Sequence, residues 1–196
     1  MQKTLLLFFI FFFSFQSSSY SDEFSDLLNF EIEGISVGDS ALDFFSENEI
    51  KQSMTQLHLM NKKREKFRTS EIFSNKFKVY QAIQISFKKN DKKYIIHHIA
   101  GLKGYPNNIK QCYSDKEDLA EVIKGLFPNE KKEEIKGIHP GDPSGKSVFS
   151  KLLVTFDKKL PSSLLLVECI DYAKSTNWLD HLRVDAATKE FNETQY

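Results

Sequence analysis

Apolar residues are most dense at the start of the chain, where an unbroken run fills residues 5–13 shortly after Lys3. Phe15 extends the run, and small polar residues follow it. A basic start, an apolar centre of about 7–15 residues and a small-residue end are typical of a secretory signal peptide. The run is too short for a membrane-spanning helix, which needs about 20 apolar residues. The pattern therefore predicts a signal peptide over residues 1–19 and a mature chain without stable membrane insertion.

Two capping signatures predict short helices in the next part of the chain. Alternating apolar residues and two glycines within 27–38 first indicate a short strand or extended segment that leads into a turn. Ser40 and Ser46 are each followed three positions later by an acidic residue, which is the arrangement of a capping box. The spacing predicts a helix over 41–45 and another over 47–59, or one broken helix.

The clearest strand pattern covers residues 77–87, where odd positions are mostly apolar and most even positions are polar. This period of two predicts a strand with one face in the core and the other in water. Turn residues at 89–92 and a second β-rich run over 94–100 extend the pattern into an antiparallel hairpin over 76–101. We therefore expect the even-numbered face of the first strand to be solvated.

A helix with a period of 3.6 residues is predicted from about Asn108 to Pro128, where proline ends it. Cys112 lies on or beside the apolar stripe of this helix, which faces the sheet. Two densely charged segments, 61–68 and 129–136, are predicted as solvated loops. An anion-binding patch on the first of them is the functional alternative.

Three further strands are predicted over 148–156, 164–172 and 182–188, after a Gly- and Pro-rich connection over 138–146. Strand pairs interrupted by one strong helix predict the α+β class. We expect an antiparallel sheet with one long helix and a short N-terminal helical segment packed on it. Residues 20–196 are long enough for one domain with a real core.

The charges of the chain are balanced, with 27 basic and 27 acidic residues among 196. A dedicated surface for nucleic acid or anionic membrane needs a clustered basic excess, so the balance argues against both. Lysine far outnumbers arginine, which fits a solvated surface better than phosphate recognition. The same bias weakly favours a bacterial source.

Cys112 and Cys169 are the two cysteines of the chain. An even cysteine count in an exported protein predicts a disulfide, and only one pairing is possible. The alternative is a redox pair or a metal site, but the chain has no CxxC spacing and no ligand cluster beside either cysteine.

Residues 141–147 resemble the phosphate-binding loop G-x-x-x-x-G-K-[ST]. The segment between its two glycines is one residue shorter than in that motif. Pro143 also lacks the backbone N–H group that such a loop uses to bind phosphate. The residues after Ser147 predict a strand, whereas the phosphate loop needs a helix N-terminus there. A plain turn is favoured, and no nucleotide-binding residue is assigned.

Four histidines are the remaining candidates for chemistry. His97 and His98 are neighbours on a predicted strand, so their side chains are expected on opposite faces and cannot hold one ion together. Either could act as a general base, and His139 or His181 could be a metal ligand, but no H-x-x-x-H spacing brings ligands together. No G-x-S-x-G serine elbow is present either. We therefore assign no catalytic residue, no metal ligand and no cofactor.

The stretch 32–46, the helix start at 108–112 and the Cys-x-Asp strand at 169–171 resemble a group of uncharacterised exported proteins of marine bacteria. No activity comes with that resemblance. The Gly-Ile-x-x-Gly-Asp-Ser turn within the first stretch is also similar, more loosely, to small envelope domains in which a short helical pair packs on an antiparallel sheet. That likeness concerns fold rather than role.

Together these patterns predict a periplasmic or secreted protein that binds a small ligand or a protein and performs no chemistry. The rival hypothesis is an envelope hydrolase that uses His97 or His98 with a carboxylate such as Asp171. A third is an assembly factor that offers a sheet edge to partner strands, and it predicts a long uncharged edge.

Overall fold

Seven strands form one antiparallel sheet in the part of the chain that the computed structural model describes, residues 27, 30–55, 65–157 and 162–194. In chain order the strands are β1 (Phe67–Phe73), β2 (Ala82–Lys88), β3 (Ile96–Gly104), β4 (Lys131–Ile138), β5 (Val148–Thr155), β6 (Leu164–Asp171) and β7 (His181–Ala187). Their order across the sheet is β1-β2-β3-β7-β6-β5-β4. The three-stranded meander β1–β2–β3 therefore meets the four-stranded meander β4–β5–β6–β7 at the β3–β7 ladder.

Within the described residues the sheet is accompanied by the α-helices α1 (Glu47–Gln52), α2 (Ile109–Leu126) and α3 (Lys189–Asn192). Short 3₁₀ turns add Ala41–Asp43 and Lys174–Thr176. The capping box predicted at Ser46 is present, because its hydroxyl accepts from Glu49 N at 3.2 Å and its N–H donates to the Glu49 carboxylate at 2.8 Å.

The predicted α+β class is wrong. The fold is dominated by its sheet, helix makes up 24% of it, and α2 is the one helix of seven or more residues among the described ones. The helix predicted over 47–59 already ends at Gln52, because residues 53–55 bond to the outer edge of β1 instead. Residues 56–59 lie outside the described part, as do the predicted signal peptide and residues 20–26 of the predicted domain.

Two strands lie where loops were predicted. Phe67 and Arg68 open β1, and nearly all of 129–136 belongs to β4. β4 is an edge strand, and charged side chains on an edge prevent pairing with other chains. Its lysines and glutamates therefore belong to a strand as naturally as to a loop. They also count against the hypothesis of a sheet edge that recruits partner strands.

The core lies on one side of the sheet, which we call the covered face. There α2, Leu27 and residues 30–50 pack on apolar side chains of the strands. The central members of this core are Ile83, Ile85, Ile99, Leu152, Val154, Leu165, Val167, Leu182 and Val184. The opposite side, which we call the open face, carries only α3 at one corner among the described elements.

The disulfide joins the helix to the covered face. Cys112 on α2 bonds to Cys169 on β6, with 5.9 Å between the two Cα atoms, as the sequence predicts. Lys116, one helical turn after Cys112, is almost fully buried, and its ammonium donates to Ser150 Oγ at 3.3 Å. Ser150 is the cross-strand partner of Cys169. The staple thus fixes α2 over β5 and β6.

Within the described residues, no helix has both the length and the apolar content required to span a bilayer.

Candidate functional site on the open face

An arginine–aspartate–histidine cluster occupies the middle of the open face. Arg183 and Asp185 are two apart on β7, so both side chains point to this face. Arg183 donates to the Asp185 carboxylate through Nε at 2.7 Å and through Nη2 at 2.8 Å. His98 on β3 places Nε2 at 2.8 Å from Asp185 Oδ1. The carboxylate is therefore held from two strands.

The cluster continues across β2 to β1 as one hydrogen-bonded network. Arg183 Nη1 donates to Gln84 Oε1 at 3.0 Å, and Gln84 Nε2 donates to Glu71 Oε2 at 2.5 Å. His98 Nδ1 lies 3.1 Å from Ser86 Oγ. Gln84 and Ser86 are both buried, so the prediction that their face of β2 is solvated is wrong. Polar partners on β1, β3 and β7 take the place of water there.

Asp185 stays ionised inside this network. Burial alone would raise its pKa, but the charge of Arg183 and the hydrogen bond from His98 lower the pKa to about 2. The same arrangement satisfies the guanidinium, a quarter of whose side chain remains exposed. Removing either partner would leave a buried charge without compensation.

Glu168 is the exception in this cluster. It lies on β6, directly across the ladders from Arg183 on β7 and Lys151 on β5. Among the described residues its carboxylate makes no hydrogen bond and no ion pair, although the side chain is only partly exposed. Burial raises the pKa of Glu168, against the charge of Lys151, which lowers it. A half-buried acceptor on an open surface is available to a ligand.

Apolar side chains surround this acceptor. The register places Leu166 and Ile170 on the same face of β6, and Phe149 and Leu153 on the same face of β5. All but Ile170 are half-buried, and the Lys151 ammonium lies 4.9 Å from the centroid of the Phe149 ring. The site therefore combines one unbonded carboxylate with an apolar floor.

The two neighbouring histidines do not point apart as predicted. A register shift between Ser86 and Phe87 leaves His97 in a bulge, with Ile96 and His98 as the paired residues. The His98 ring stacks on Phe191 of α3, and the His97 ring contacts Phe67, which itself contacts Phe191. Both imidazoles thus reach one aromatic pair.

His97 belongs to an ion cluster at the edge of the open face. Its Nδ1 lies 3.6 Å from Glu190 of α3, whose carboxylate also bonds to Lys66 and to Lys88. Burial, together with the positive charge of Lys88, lowers the pKa of His97 to about 4. His97 is therefore neutral near pH 7.

The carboxylate that meets His98 is Asp185 and not Asp171. Asp171 is an odd-numbered residue of β6 and shares the covered face with Cys169. His139 and His181 pack on Tyr172 at the end of the sheet, at ring distances of 5.2 and 5.7 Å. No group of three potential metal ligands occurs among the described residues.

The loop that imitates a phosphate cradle is filled by its own aspartate. The Asp142 carboxylate accepts from Ser144 N at 2.8 Å and from Ser147 N at 2.9 Å. It also accepts from both serine hydroxyls, each at 2.7 Å. The donors that would hold a phosphate are therefore occupied, and β5 rather than a helix follows.

Sequence reasoning did not find Arg183, Asp185 and Gln84 as site residues. The usable signal was an arginine and an aspartate two apart in a predicted strand, which places both on one face. Comparison of the chain with known protein families, with curated proteins and with solved structures finds no match.

Proposed function

We propose that the protein is an exported, non-catalytic binding domain that takes a small ligand on the open face of its sheet, at Glu168. The observation that carries the proposal is the half-buried Glu168 carboxylate, which has no hydrogen bond or ion pair in the described part of the chain. Partial burial of a carboxylate without a protein hydrogen bond disfavours its charged form, and such a cost is typical of a functional position. Export is supported by the N-terminal pattern and by the Cys112–Cys169 bond. The resemblance to exported proteins of marine bacteria belongs to the same proposal.

The surroundings of Glu168 define the chemistry of the ligand. A carboxylate accepts hydrogen bonds, so the ligand carries an amine or a hydroxyl group. Leu166 and Leu153 offer an apolar floor, so the rest of the ligand is apolar. Arg183 is already engaged by Asp185 and is not expected to bind an acidic group.

A matched set of six-carbon probes tests this assignment. Hexylamine, hexanol and hexanoate are titrated separately into the ¹⁵N-labelled protein, and amide shifts are followed by NMR. We expect shifts at Leu166, Glu168 and Arg183 with hexylamine, weaker ones with hexanol and none with hexanoate. Glu168→Gln should remove the preference for the amine, whereas Asp118→Asn, an exposed position on α2, should leave it unchanged. Equal responses to all three probes would refute the assignment.

Export itself is tested in the native host. Osmotic shock and intact-mass measurement should give a protein that lacks about the first 19 residues, as expected for a signal peptide. The mass should also be two hydrogens below that of the reduced form. An intact Met1 with two free thiols would contradict the proposal.

A hydrolase is the second candidate, and one observation favours it. Ser86, His98 and Asp185 are joined in that order by contacts of 3.1 and 2.8 Å, the order of a nucleophile, base and acid. Against it, Ser86 is fully buried, its hydroxyl also bonds to Thr69 at 2.8 Å, and Phe191 covers the His98 ring. Labelling with a fluorophosphonate distinguishes the two: modification of Ser86 in the folded protein would favour the hydrolase, and no modification favours the binding domain.

A further inference from the structure

Three connections meet at one end of the sheet. They are residues 74–81 between β1 and β2, 139–147 between β4 and β5, and 172–180 between β6 and β7. We call these connections, with the adjoining strand-end residues Phe73 and Ile138, the loop end.

Large apolar side chains are exposed at this end. Their exposed fractions are Phe73 71%, Ile138 62%, Val79 56%, Leu179 53% and Trp178 50%. Soluble surfaces expose single apolar residues routinely, but several that are half or more exposed on neighbouring loops at one end of a fold indicate an interaction site. Phe73 and Ile138 lie at the two opposite edges of the sheet, on either side of the loops that carry Val79, Trp178 and Leu179.

The three loops form a continuous surface. Leu179 lies over Gly104, where a Cβ atom would come within 2.6 Å of Leu179 Cδ2, and Gly104 N donates to Gln81 at the end of the first loop. On the other side, Trp178 contacts the ring of His139, which opens the loop between β4 and β5. The middle loop thus bridges its two neighbours.

The charges of the loop end are sorted by sign. All four lysines of the three loops are exposed, and none makes an ion pair within the described residues; they are Lys76, Lys78, Lys146 and Lys174. The two acidic residues of the loops, Asp142 and Asp180, are turned inward. Asp142 accepts from Ser144 and Ser147, and Asp180 accepts from Tyr172 N at 2.7 Å.

An acidic residue from outside the loops is hydrogen-bonded within the fold in the same way. Glu33 accepts hydrogen bonds from the backbone N–H groups of Lys78, Val79 and Tyr80, at 2.6 to 3.1 Å. These bonds lower the pKa of Glu33 although its burial opposes this. The same bonds hold the backbone of the first loop in a conformation in which the Val79 side chain is exposed. The loop end therefore presents lysines and apolar side chains, while its carboxylates serve as internal ties.

We propose that the loop end docks peripherally on an anionic lipid surface, with Trp178, Leu179 and Val79 in the interfacial region and the four lysines at the headgroups. Tryptophan favours the membrane interface, and lysines beside inserted apolar residues add attraction to anionic lipids. The balanced net charge argued against such a surface at the level of the sequence. The local distribution favours such a surface, because the four lysines are exposed whereas the loop carboxylates are hydrogen-bonded within the fold. The proposal is independent of any ligand at Glu168.

Trp178 is the one tryptophan of the chain and reports directly on this contact. Its fluorescence is measured with vesicles of phosphatidylcholine plus phosphatidylglycerol, and with phosphatidylcholine alone. We expect a blue shift with the anionic vesicles, quenching when their lipids are brominated, and reversal at high salt. Little response is expected with phosphatidylcholine alone.

Charge variants test the role of the lysines. Lys78→Glu with Lys174→Glu should weaken vesicle binding on the order of a hundredfold, given the attraction expected per lysine at an anionic surface. Lys89→Glu with Lys92→Glu is the matched control, because it makes the same net-charge change in the β2–β3 turn at the opposite end. Equal loss in both double variants would reduce the effect to net charge and overturn the docking proposal.

A second pair of variants tests the apolar contact. Val79→Ser should weaken binding, whereas Val122→Ser, at a position with a similar exposed fraction of 58% on α2, should not. Unchanged thermal unfolding of all variants establishes that they fold. The proposal is overturned if the fluorescence spectrum of Trp178 does not change when anionic vesicles are added. If Trp178 is shielded by a second copy of the chain or by another protein, and not by lipid, the loop end is a protein-binding surface and the proposal is also overturned.

Discussion

The imidazole ring of His98 lies parallel to the ring of Phe191, with 4.6 Å between their centroids and 5° between their planes. This stack joins the last helix of the described chain to the centre of the open face. Phe191 also meets Phe67 edge to face at 5.2 Å, so one side chain connects β1, β3 and α3. Phe191 is therefore the aromatic anchor of α3, beside the ion pairs of Glu190 with Lys66 and Lys88 and the hydrogen bond that Asn192 Nδ2 donates to Ser162 O.

Phe191→Ala should destabilise the protein by about 2 kcal/mol, less than a fully buried Phe→Ala change because the ring is only partly buried. Urea unfolding measures the change. Phe73→Ala is the control, since Phe73 is mostly exposed and should cost less than about 0.5 kcal/mol. Equal costs would show that the stack does not hold α3.

Removing the disulfide should cost about 4 kcal/mol, because its loop spans 57 residues and a loop of this length restricts the unfolded chain strongly. The double variant Cys112→Ala/Cys169→Ala and the reduced wild-type protein should both show this loss in guanidinium unfolding. If the two unfolding curves coincide with that of the oxidised protein, the staple contributes nothing to stability.

Stability should fall as the pH is lowered from about 6.5 to about 4. Burial, helped by Lys88 and opposed by Glu190, lowers the pKa of His97 to about 4, so the unfolded chain takes up the proton first within this window. The contribution is on the order of 3 kcal/mol at most. It is fully present above the unfolded pKa and lost below the folded one. In His97→Gln the stability curve should be flatter between these two pH values, and an unchanged slope would assign the effect elsewhere.

Glu168→Gln should stabilise the protein by about 0.5–1 kcal/mol at pH 7, since it removes a carboxylate that burial disfavours. The gain should vanish at low pH, where Glu168 is protonated. Thermal unfolding at both pH values measures it. A destabilised variant at pH 7 would mean that Glu168 supports the fold rather than a ligand.

Elements with a strong local pattern were predictable from the sequence. Strands β3, β5, β6 and β7, the helix α2 and the capping box at Ser46 all occur close to their predicted positions. The strand predicted over 77–87 begins only at Ala82, since residues 77–81 belong to the connection from β1. The edge strands β1 and β4 were not predictable: the lysines and glutamates of β4 serve the edge and mask the period of two, and the first residues of β1 lie in a charged run. The segment over 27–38 is predicted as extended and leading into a turn, and among its described residues Ile32 and Ile35 pair across a tight turn.

The candidate site was less accessible to sequence reasoning. Its network depends on the pairing of β3 with β7, which brings His98 beside Asp185 across a long stretch of chain. The bulge at His97 also reverses the simple alternation expected of neighbouring strand residues. By contrast, the Cys112–Cys169 pair required no geometry, since the chain contains no other cysteine.

The β3–β7 ladder has a consequence for how the chain reaches its native state. Among the described strands it is the one ladder between elements that are not consecutive, whereas every other pairing forms between sequence neighbours. Pairings between strands far apart in sequence form slowly, because the entropy cost of closing the loop comes before the favourable contacts have formed. The two halves of the sheet should therefore form early and separately, and their joining should limit the folding rate. A preformed Cys112–Cys169 bond shortens the loop to be closed, so refolding of the oxidised chain should be faster than that of the reduced one.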